Sequence, residues 1–489
     1  MSLAPSPQRP AGAPVSAARL ILALAASSAL AGCASQPDLG SAPKLAQPAS
    51  LASSQSFSAT PTAWPSDDWW RAYGDPQLDR LIDAALAGAP DMAAAKARLA
   101  KAAAQADVAR ADLMPQLSAN AFAGASELSL NSLGFPPQFQ QYLPQGYKSF
   151  GQGTLNFNYE IDFWGKNRSA VAAATSDAKA AAADLAEARL TLSTAIAASY
   201  ADLARLYAER DVAERSVASR QETLDLTAGR VANGLDTQAE LKQAAAGVPA
   251  ARADLDAIDE EIALTRDQLA ALMGQGPDAG LAIARPLGAA LKPFGLPERL
   301  AADLIGRRPD IVAARWRAEA AAKRIGVAKA AFYPNVNLTA LVGYESLGIT
   351  KLFATASQYG QDGAAVSLPI FEGGRLTATL RGARADYDEA VASYDATLTQ
   401  ALREVADAAA SQKALIDRLA QSREALADDE AAYKVARLRY EGGLANYQTV
   451  LLAEDAVLAA RREVVDLEAR AFTLDIQLVK ALGGGFTAA

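Results

Sequence analysis

The feature that most constrains this chain is a long stretch, residues 168–228, that contains neither proline nor glycine. Alanine is abundant in it, and Leu185, Leu192, Ile196 and Leu203 recur in steps of seven, four and seven. These steps are typical of a coiled-coil seam. Because each helical residue adds 1.5 Å, a helix of this extent is about 90 Å long, more than a globular domain needs.

A second stretch, residues 375–440, repeats this pattern with Gly382 as its only interruption. Its apolar residues recur in steps of three and four, at Tyr387, Val391, Tyr394, Leu398, Leu402 and Val405. The sequence therefore predicts two very long helices, and packing along their seams would stabilise both.

Proline and glycine positions indicate that the chain is internally duplicated. Pro90 and Pro115 match Pro309 and Pro334 at one common offset. At a second common offset, Gly234 and Gly274 match Gly443 and Gly483. We predict two structural repeats, at 64–274 and 298–483, with a linker at 275–297 and a tail at 484–489.

Each repeat has the same predicted order: a short helix, two strands, the long helix, a glycine turn and a returning helix. In the first repeat the strands are about 117–124 and 154–163, the long helix is 168–228 and the return helix is 236–272. In the second repeat the strands are about 335–345 and 361–371, and the helices are 375–440 and 447–482.

One predicted strand alternates apolar and polar residues throughout. Residues Leu155 to Phe163 place apolar side chains on one face, and the other face carries Asn156, Asn158, Glu160 and Asp162. The ten residues 154–163 suit a tilted strand with lipid on one side and water on the other, and these four polar residues would line the lumen. A soluble amphipathic sheet is the alternative.

A membrane location would force the chain to oligomerise. Four strands cannot close a barrel, and open strand edges are not tolerated in lipid. Two copies would supply eight strands and a barrel filled by its own side chains, whereas three would supply twelve. Because a channel needs an open pore, three copies are favoured.

The N-terminus has the pattern of a lipoprotein signal peptide at 1–32. Arginines precede a short apolar run, and the run ends at Leu30-Ala31-Gly32-Cys33, which resembles the bacterial lipobox. Cys33 is the predicted lipidation site, followed by a lipid-anchored tether at 33–63. Ala34 stands where an Asp would resemble an inner-membrane retention signal, so the outer membrane is favoured.

Composition argues against several classes of function. The net charge is −8, from 47 basic and 55 acidic residues that are interspersed, so no basic patch for nucleic acid is expected. The chain has no histidine and Cys33 is its only cysteine. We therefore expect no catalytic residues, no cofactor and no metal site, and we expect that the protein is not an enzyme. No nucleotide-binding G-x-x-x-x-G-K-[ST] loop is present.

Several motifs along 64–485 resemble those of the TolC-like outer membrane factor family, in its NodT/OprM-type efflux lipoprotein branch. They are Trp69-Trp70-Arg71, Asp75-Pro76-Gln77-Leu78, 159–166, 307–311, 326–334, 369–375, 403–407 and 481–485.

The resemblance implies a mainly α fold with membrane β structure. Three protomers would form a twelve-stranded outer-membrane β-barrel and a long coiled-coil α-barrel that extends into the periplasm. An equatorial belt would contain 275–300 and both chain ends. A periplasmic membrane-fusion adaptor would join this duct to an inner-membrane pump of the RND type, and the duct would conduct drugs or metal ions passively. A type I protein-secretion duct and a lipid-anchored coiled-coil scaffold without a pore are the alternatives.

The two glycine turns are the expected adaptor-docking tips. The residues expected to dock are Arg230, Gly234, Leu235, Arg439, Gly443 and Leu444. Simple helix capping by the glycines is the alternative.

The family resemblance also places a periplasmic gate near the second turn, at Tyr447, Thr449, Leu452, Glu454 and Asp455. Many relatives have Asp at the positions of Thr449 or Leu452, which this sequence lacks. An apolar Tyr447/Leu452 constriction is expected instead, with Glu454 and Asp455 interpreted either as substitutes for the acidic ring or as helix-surface charges.

Overall fold

The computed structural model describes residues 36–52, 55–127, 129, 136–140, 142–288, 291, 294–298 and 300–488. The predicted signal peptide and the lipidation site Cys33 lie outside these residues and stay sequence predictions.

Eight helices of at least two turns occur in the described part of the chain. They are α1 (Pro76–Gly88), α2 (Pro90–Ala111), α3 (Lys166–Ala232), α4 (Gln238–Leu272), α5 (Leu300–Arg307), α6 (Pro309–Ala330), α7 (Arg375–Glu441) and α8 (Tyr447–Ala481). None of these described helices has the length and low charge needed to cross a membrane.

The helix lengths confirm the internal duplication. The short helices α2 and α6 have 22 residues each, the long helices α3 and α7 have 67 each, and the return helices α4 and α8 have 35 each. At 1.5 Å per residue, each long helix extends for about 100 Å. The helix α3 begins two residues earlier and ends four residues later than the sequence predicts, and α7 ends one residue later.

The predicted seams are buried in both long helices. Leu192, Ile196 and Leu203 of α3 are buried, and so are Val391, Tyr394, Leu398, Leu402 and Val405 of α7. The exposed faces carry ion pairs between residues four apart, such as Arg403 with Asp407, each of which contributes only a few tenths of a kcal/mol. Burial of the seams is therefore the main source of helix stability.

Four strands form one antiparallel sheet in the order β1-β2-β3-β4. They are β1 (Gln116–Ser126), β2 (Lys148–Glu160), β3 (Asn335–Leu347) and β4 (Gln358–Ser367). Leu155 lies opposite Ala119 of β1 and Val342 of β3. The predicted apolar face is therefore shared by neighbouring strands, because residues that lie opposite each other point to the same side.

Two strands end earlier than the sequence predicts. The strand predicted at 154–163 ends at Glu160, since the Glu160 carboxylate binds Lys166 at 3.0 Å and Asp162 accepts a hydrogen bond from the Arg168 backbone N–H at 2.9 Å. Both acids therefore hold the start of α3. The strand predicted at 361–371 ends at Ser367, because Pro369 has no N–H to donate to a ladder.

The chain divides into two compact units, and each predicted repeat contributes to both. The described part of the first unit comes from Met1–Pro43, Ala104–Ser176 and Glu319–Glu389 and contains the sheet. The second unit comprises Lys44–Ala103, Asp177–Ala318 and Ala390–Ala489. Its largest core packs Trp70, Leu78 and Ile82 against Ile196 and Tyr200.

The segment predicted as a tether is packed along the protein. In the first unit, Arg384 and Tyr387 of α7 donate hydrogen bonds to the carbonyls of Ser41 and Pro43. In the second unit, the Ala46 N–H donates to Asp395 and the Lys413 ammonium donates to the Ser58 carbonyl. Leu45, Leu51, Phe57 and Trp64 also pack against a core cluster.

Residues 60–66, the linker and the C-terminal tail contact one another or α5 in the second unit. The Thr62 N–H donates to the Leu296 carbonyl at 3.0 Å, and the Ala488 N–H donates to the Gly306 carbonyl at 2.9 Å. Gly485, at φ +84, lies against the backbone of Ser66, where a side chain would have no space.

A buried arginine joins three helices at this place. The Arg308 guanidinium binds Asp310 at 2.5 Å, Glu404 of α7 at 2.7 Å and the Ala481 carbonyl of α8 at 3.2 Å. Because Arg308 is almost completely buried, these contacts are only weakly screened by solvent.

We expect Arg308→Ala to destabilise the fold by about 2–3 kcal/mol, since the two carboxylates lose their cation. Thermal denaturation in detergent measures the effect. Arg403→Ala is the control. Its pair with Asp407 is exposed on α7, the helix that also carries Glu404, and should contribute less than about 0.5 kcal/mol. Equal melting temperatures for the two variants would contradict this prediction.

Candidate functional site

The two glycine turns adopt the same backbone motif. At the end of α3 the Leu235 N–H donates to the Arg230 carbonyl, and the Gly234 N–H donates to Val231. At the end of α7 the Leu444 N–H donates to Arg439, and the Gly443 N–H donates to Tyr440. Both glycines have φ +73. This is a Schellman C-cap, so the glycines close the hairpins.

Each turn presents one leucine to solvent. The side chain of Leu235 is 64% exposed and that of Leu444 is 73% exposed. Around Leu444, an open groove of about 740 Å³ is lined by Ala432, Val435, Arg439 and Thr449, among others. The second turn therefore combines an apolar groove with one exposed cation.

Arg230 is held within the protomer. Its guanidinium binds Asp236 at 2.8 Å and the Tyr440 carbonyl at 2.7 Å, and it lies 4.3 Å from the centroid of the Tyr440 ring. The hydroxyl of Tyr440, which is fully buried, donates to Asp236. We call Arg230, Asp236 and Tyr440 the turn cluster, and it joins the first hairpin to α7.

The electrostatics of the turn cluster favour a charged Asp236. The hydrogen bond from Arg230 holds the pKa of Asp236 below its ordinary value, against the opposing effect of burial. Burial, followed by the hydrogen bond to Asp236, raises the pKa of Tyr440 to about 12. Tyr440 therefore remains a hydrogen-bond donor at physiological pH.

A second cluster joins α3 to α8. Glu454, 1% exposed, accepts from Ser219 at 2.6 Å and from Arg220 at 3.1 Å, and Arg220 also binds Asp455. Burial raises the pKa of Glu454, while Ser219 and Arg220 act against that shift. We call Ser219, Arg220, Glu454 and Asp455 the helix cluster. The interpretation of Glu454 as a helix-surface charge is wrong, because Arg220 and Ser219 enclose it.

The other residues of the predicted gate have different environments. Tyr447 is buried, and its ring lies 6.3 Å from the ring of Tyr440. Thr449 donates its N–H and its hydroxyl to Asn446, so it forms part of the N-cap of α8. Leu452 is exposed. Within one protomer, Tyr447 and Leu452 therefore do not share a surface.

The predicted lumen residues are divided by the end of β2. Asn156, Asn158 and Glu160 follow one face of the strand, and Asn156 donates to the Thr154 hydroxyl at 3.1 Å. Asp162 lies beyond the strand and binds the Arg168 side chain at 3.2 Å. Asp162 is therefore a contact of the strand-to-helix corner.

The sequence does not indicate that Asp236, Tyr440, Ser219 and Arg220 are site residues. Asp236 directly precedes the capping box of α4, in which Glu240 accepts from the Thr237 N–H. An acid beside such a cap is common on sequence grounds alone. No local pattern indicates its contact with Tyr440, which is 204 residues away.

Removing the Tyr440 hydroxyl should loosen both turns. We expect amides in 226–240 and 436–450 to exchange about tenfold faster with deuterium in Tyr440→Phe, since Asp236 loses a charge-assisted hydrogen bond. The control is Tyr207→Phe, whose hydroxyl accepts from Arg266 within the first hairpin. Unchanged exchange at both turns would show that the turn cluster does not hold them.

Comparison with known proteins assigns the family. The model of the family described as "Outer membrane efflux protein" matches residues 81–275 and 300–484. The fusaric acid resistance protein FusA of Burkholderia cepacia is 41% identical over 372 residues, covering 74% of this chain and 68% of the relative. The multidrug resistance outer membrane protein MdtP of Escherichia coli K12 is 32% identical over 450 residues, 91% of this chain and 90% of the relative.

Solved structures agree with this assignment. The outer membrane protein VceC of Vibrio cholerae is 44% identical, with a TM-score of 0.81, over 86% of this chain and all of that chain. The outer-membrane channel OprN is 26% identical, with a TM-score of 0.82, over 93% of this chain and 99% of that one. The protein belongs to the outer membrane efflux protein family and is an outer-membrane efflux channel.

Proposed function

We propose that this protein is the exit duct of a tripartite efflux system, a homotrimer that conducts small molecules passively across the outer membrane. The observation that supports this most is a four-stranded sheet in which β1, β2 and β3 share an apolar face and in which β1 and β4 each have one edge without a neighbouring strand among the described residues. A sister chain must pair with each edge in lipid. Three copies give twelve strands, wide enough for an open lumen.

In this proposal the apolar face of the sheet contacts hydrocarbon. Leu155, Phe157 and Tyr159 of β2 would face lipid, and Asn156, Asn158 and Glu160 would face the water-filled lumen. An aromatic pair adjoins β2 and β3, where Trp164 stacks on Tyr333 with ring centroids 4.6 Å apart. Such rings are typical of the membrane–water interface.

We further propose that Cys33 carries the lipid anchor. The contacts of residues close to Cys33 in sequence support this: Gln36, three positions after Cys33, donates to the Lys329 carbonyl, and the Ser41 carbonyl accepts from Arg384 of α7. An acylated Cys33 would therefore be held close to the first unit. Palmitate labelling that persists in Cys33→Ser would contradict the anchor.

The energy for transport would come from a partner, an inner-membrane pump of the RND type reached through a periplasmic membrane-fusion adaptor. Relatives named for multidrug and fusaric acid resistance support small organic molecules, such as drugs, as cargo. Metal ions are the other class of small cargo in this proposal. Type I protein secretion is the second candidate. Co-purification with an exchanger-type pump, as opposed to an ABC exporter, distinguishes the two.

The exposed leucines of the turns are the proposed adaptor contacts. We expect the double variant Leu235→Glu/Leu444→Glu to form trimers but to lose efflux-dependent drug resistance, because buried carboxylates would be unpaired in the docked complex. Resistance of a deletion strain complemented with each variant is the measurement. Leu264→Glu, at an exposed leucine of α4, is the control. Wild-type resistance in the double variant would place docking elsewhere.

The turn cluster and the helix cluster are the proposed restraints on opening. Both connect a hairpin of the first repeat to helices of the second, so outward movement of one hairpin must break them. Adaptor binding would favour opening only through higher affinity for the open conformation.

Weakening the turn cluster should therefore increase conductance in planar bilayers. We expect Asp236→Asn and Tyr440→Phe to conduct more than wild type. We expect the same of Tyr447→Ala, which removes the ring that lies beside Tyr440. Glu222→Gln is the control, because its pair with Arg437 also joins α3 to α7 but is exposed. Equal conductance in all variants would exclude the turn cluster as a restraint.

Acidic pH should raise the conductance of the wild type, as Asp236→Asn does. Because the folded pKa of Asp236 is lowered, its stabilising contribution is fully present above its unfolded value of about 3.9. The contribution is lost as the pH falls through the lower folded pKa. Conductance of wild type should rise only below about pH 4, and that rise should be absent in Asp236→Asn.

A further inference from the structure

The connection between β3 and β4 is an ordered segment that folds back onto the sheet. The Gly348 N–H donates to the Ser149 carbonyl at 2.5 Å, and the Ile349 N–H donates to the Ser149 hydroxyl at 3.1 Å. The Ser357 hydroxyl donates to the Lys351 carbonyl at 2.8 Å. Gly348 has φ +98, which other residues rarely adopt. We call residues 348–357 the β3–β4 connection.

This connection lies over the apolar face of the sheet. A Cβ added to Gly151 would be 3.2 Å from Leu352 Cδ2 and 3.4 Å from Ile349 Cγ1. Gly151 lies on the same face as Leu155, because side chains alternate along β2 without a bulge. Tyr344, opposite Gly153 on this face, packs its ring 5.8 Å from that of Phe353.

The outer surface of the connection is apolar with a single cation. Phe353 is 83% exposed and Ile349 is also exposed. Lys351 is the only charged residue of 348–357, and its side chain is exposed. The hydroxyl groups of Thr350 and Thr355 add hydrogen-bond donors.

The acids of β3 and β4 lie away from the connection. Glu345 is on the opposite face, where it accepts from Gln152 at 3.4 Å. Asp362 shares the apolar face but lies opposite Ala340, about 13 Å along β4 from Gln358. Glu127, directly after β1, is a further exposed acid at this end of the sheet. Lys351 is the only charged residue within the connection itself, so the connection carries a positive charge that can bind an anion.

We propose that the β3–β4 connection binds a phosphate-bearing lipid of the outer leaflet. Its acyl chains would lie against Phe353 and Ile349, and its phosphate would be bound by the Lys351 ammonium. This inference rests on the proposed function, which directs the apolar face of the sheet towards hydrocarbon. The rings of Tyr344 and Phe353 continue the apolar face and would contact acyl chains. The long cationic side chain of Lys351 borders them, where the phosphate of such a lipid would lie.

A lipid fits this surface better than a sister protomer. Sister protomers must pair with the free edges of β1 and β4, whereas the connection contacts β2 and the β3 ring of Tyr344, in the middle of the sheet. The face of β2 and β3 in the middle of the sheet is the part that remains in contact with lipid after the ring closes.

The test uses the full-length trimer in mild detergent and a fluorescent, doubly phosphorylated lipid A as the probe. We expect the Kd to rise about tenfold in Lys351→Gln, which loses a charge-assisted contact, and about fivefold in Phe353→Ser. Dephosphorylated lipid should bind wild type and Lys351→Gln equally. Millimolar inorganic phosphate should not displace the lipid.

Two matched controls lie at the same end of the sheet but on its opposite face. Lys148→Gln removes an equivalent charge at the start of β2, and Phe122→Ser removes an exposed ring of β1 that packs near Phe150. Both should change the Kd by less than about twofold.

Three outcomes would overturn the inference. Equal effects of Lys351→Gln and Lys148→Gln would indicate unspecific attraction of the anionic probe. An unchanged Kd in Phe353→Ser would exclude acyl contact. Dissociation of trimers in Phe353→Ser would identify the connection as a subunit contact.

Conductance of the same preparations separates this inference from the proposed function. A wild-type trimer that conducts ions but shows no dependence of lipid binding on Lys351 and Phe353 would refute only the lipid site. A wild-type preparation without any conductance would refute the duct itself.

Discussion

Unpaired backbone groups at the edges of the sheet are the constraint on which the rest of the structure depends. Each exposed N–H or carbonyl group would cost several kcal/mol in hydrocarbon, and β1 and β4 present a full row of them. The sheet can therefore reside in a membrane only when sister chains pair with both edges. The two repeats satisfy one edge of each other within the chain, because β2 of the first repeat pairs with β3 of the second. The outer edges of β1 and β4 remain for sister chains.

The corner between β2 and α3 shows where reasoning from alternation succeeds and where it fails. Alternation assigns Leu155 and Asn156 to opposite faces correctly, because the pleat imposes a period of two. It also continues through Asp162, although the strand ends at Glu160. The carboxylates of Glu160 and Asp162 keep the alternating pattern while they bind Lys166 and Arg168. A sequence pattern alone cannot distinguish a carboxylate that faces water from one that holds a helix start.

Long-range contacts explain most of the remaining differences between sequence and structure. The long helices, the repeats and both glycine turns follow from local chemistry, namely the seams, the common offsets and the need for positive φ at Gly234 and Gly443. The turn cluster and the helix cluster join residues more than 200 positions apart, such as Ser219 and Glu454. Nothing in the periodicity of either helix specifies such a partner. The packing of the segment 41–58 could not be predicted from the sequence either. Its carbonyl groups accept from Arg384 and Lys413, and because every residue has a backbone carbonyl, no sequence pattern marks these contacts.

In the proposed closed state, the two clusters would differ in the net free energy needed to separate the hairpins. Glu454 is almost fully buried, so its attraction to Arg220 is offset by the desolvation of its carboxylate. Opening would break the ion pair and return the carboxylate to water, and these two effects largely cancel. The turn cluster differs, because two hydrogen bonds cross from the first hairpin to α7: the Arg230 guanidinium donates to the Tyr440 carbonyl and the Tyr440 hydroxyl donates to Asp236. In the proposed opening, most of the net resistance would therefore reside at the turns, next to the exposed leucines. A partner that binds Leu235 and Leu444 acts directly on the residues that hold the hairpins together, so a differential affinity of a few kcal/mol is sufficient to shift the equilibrium.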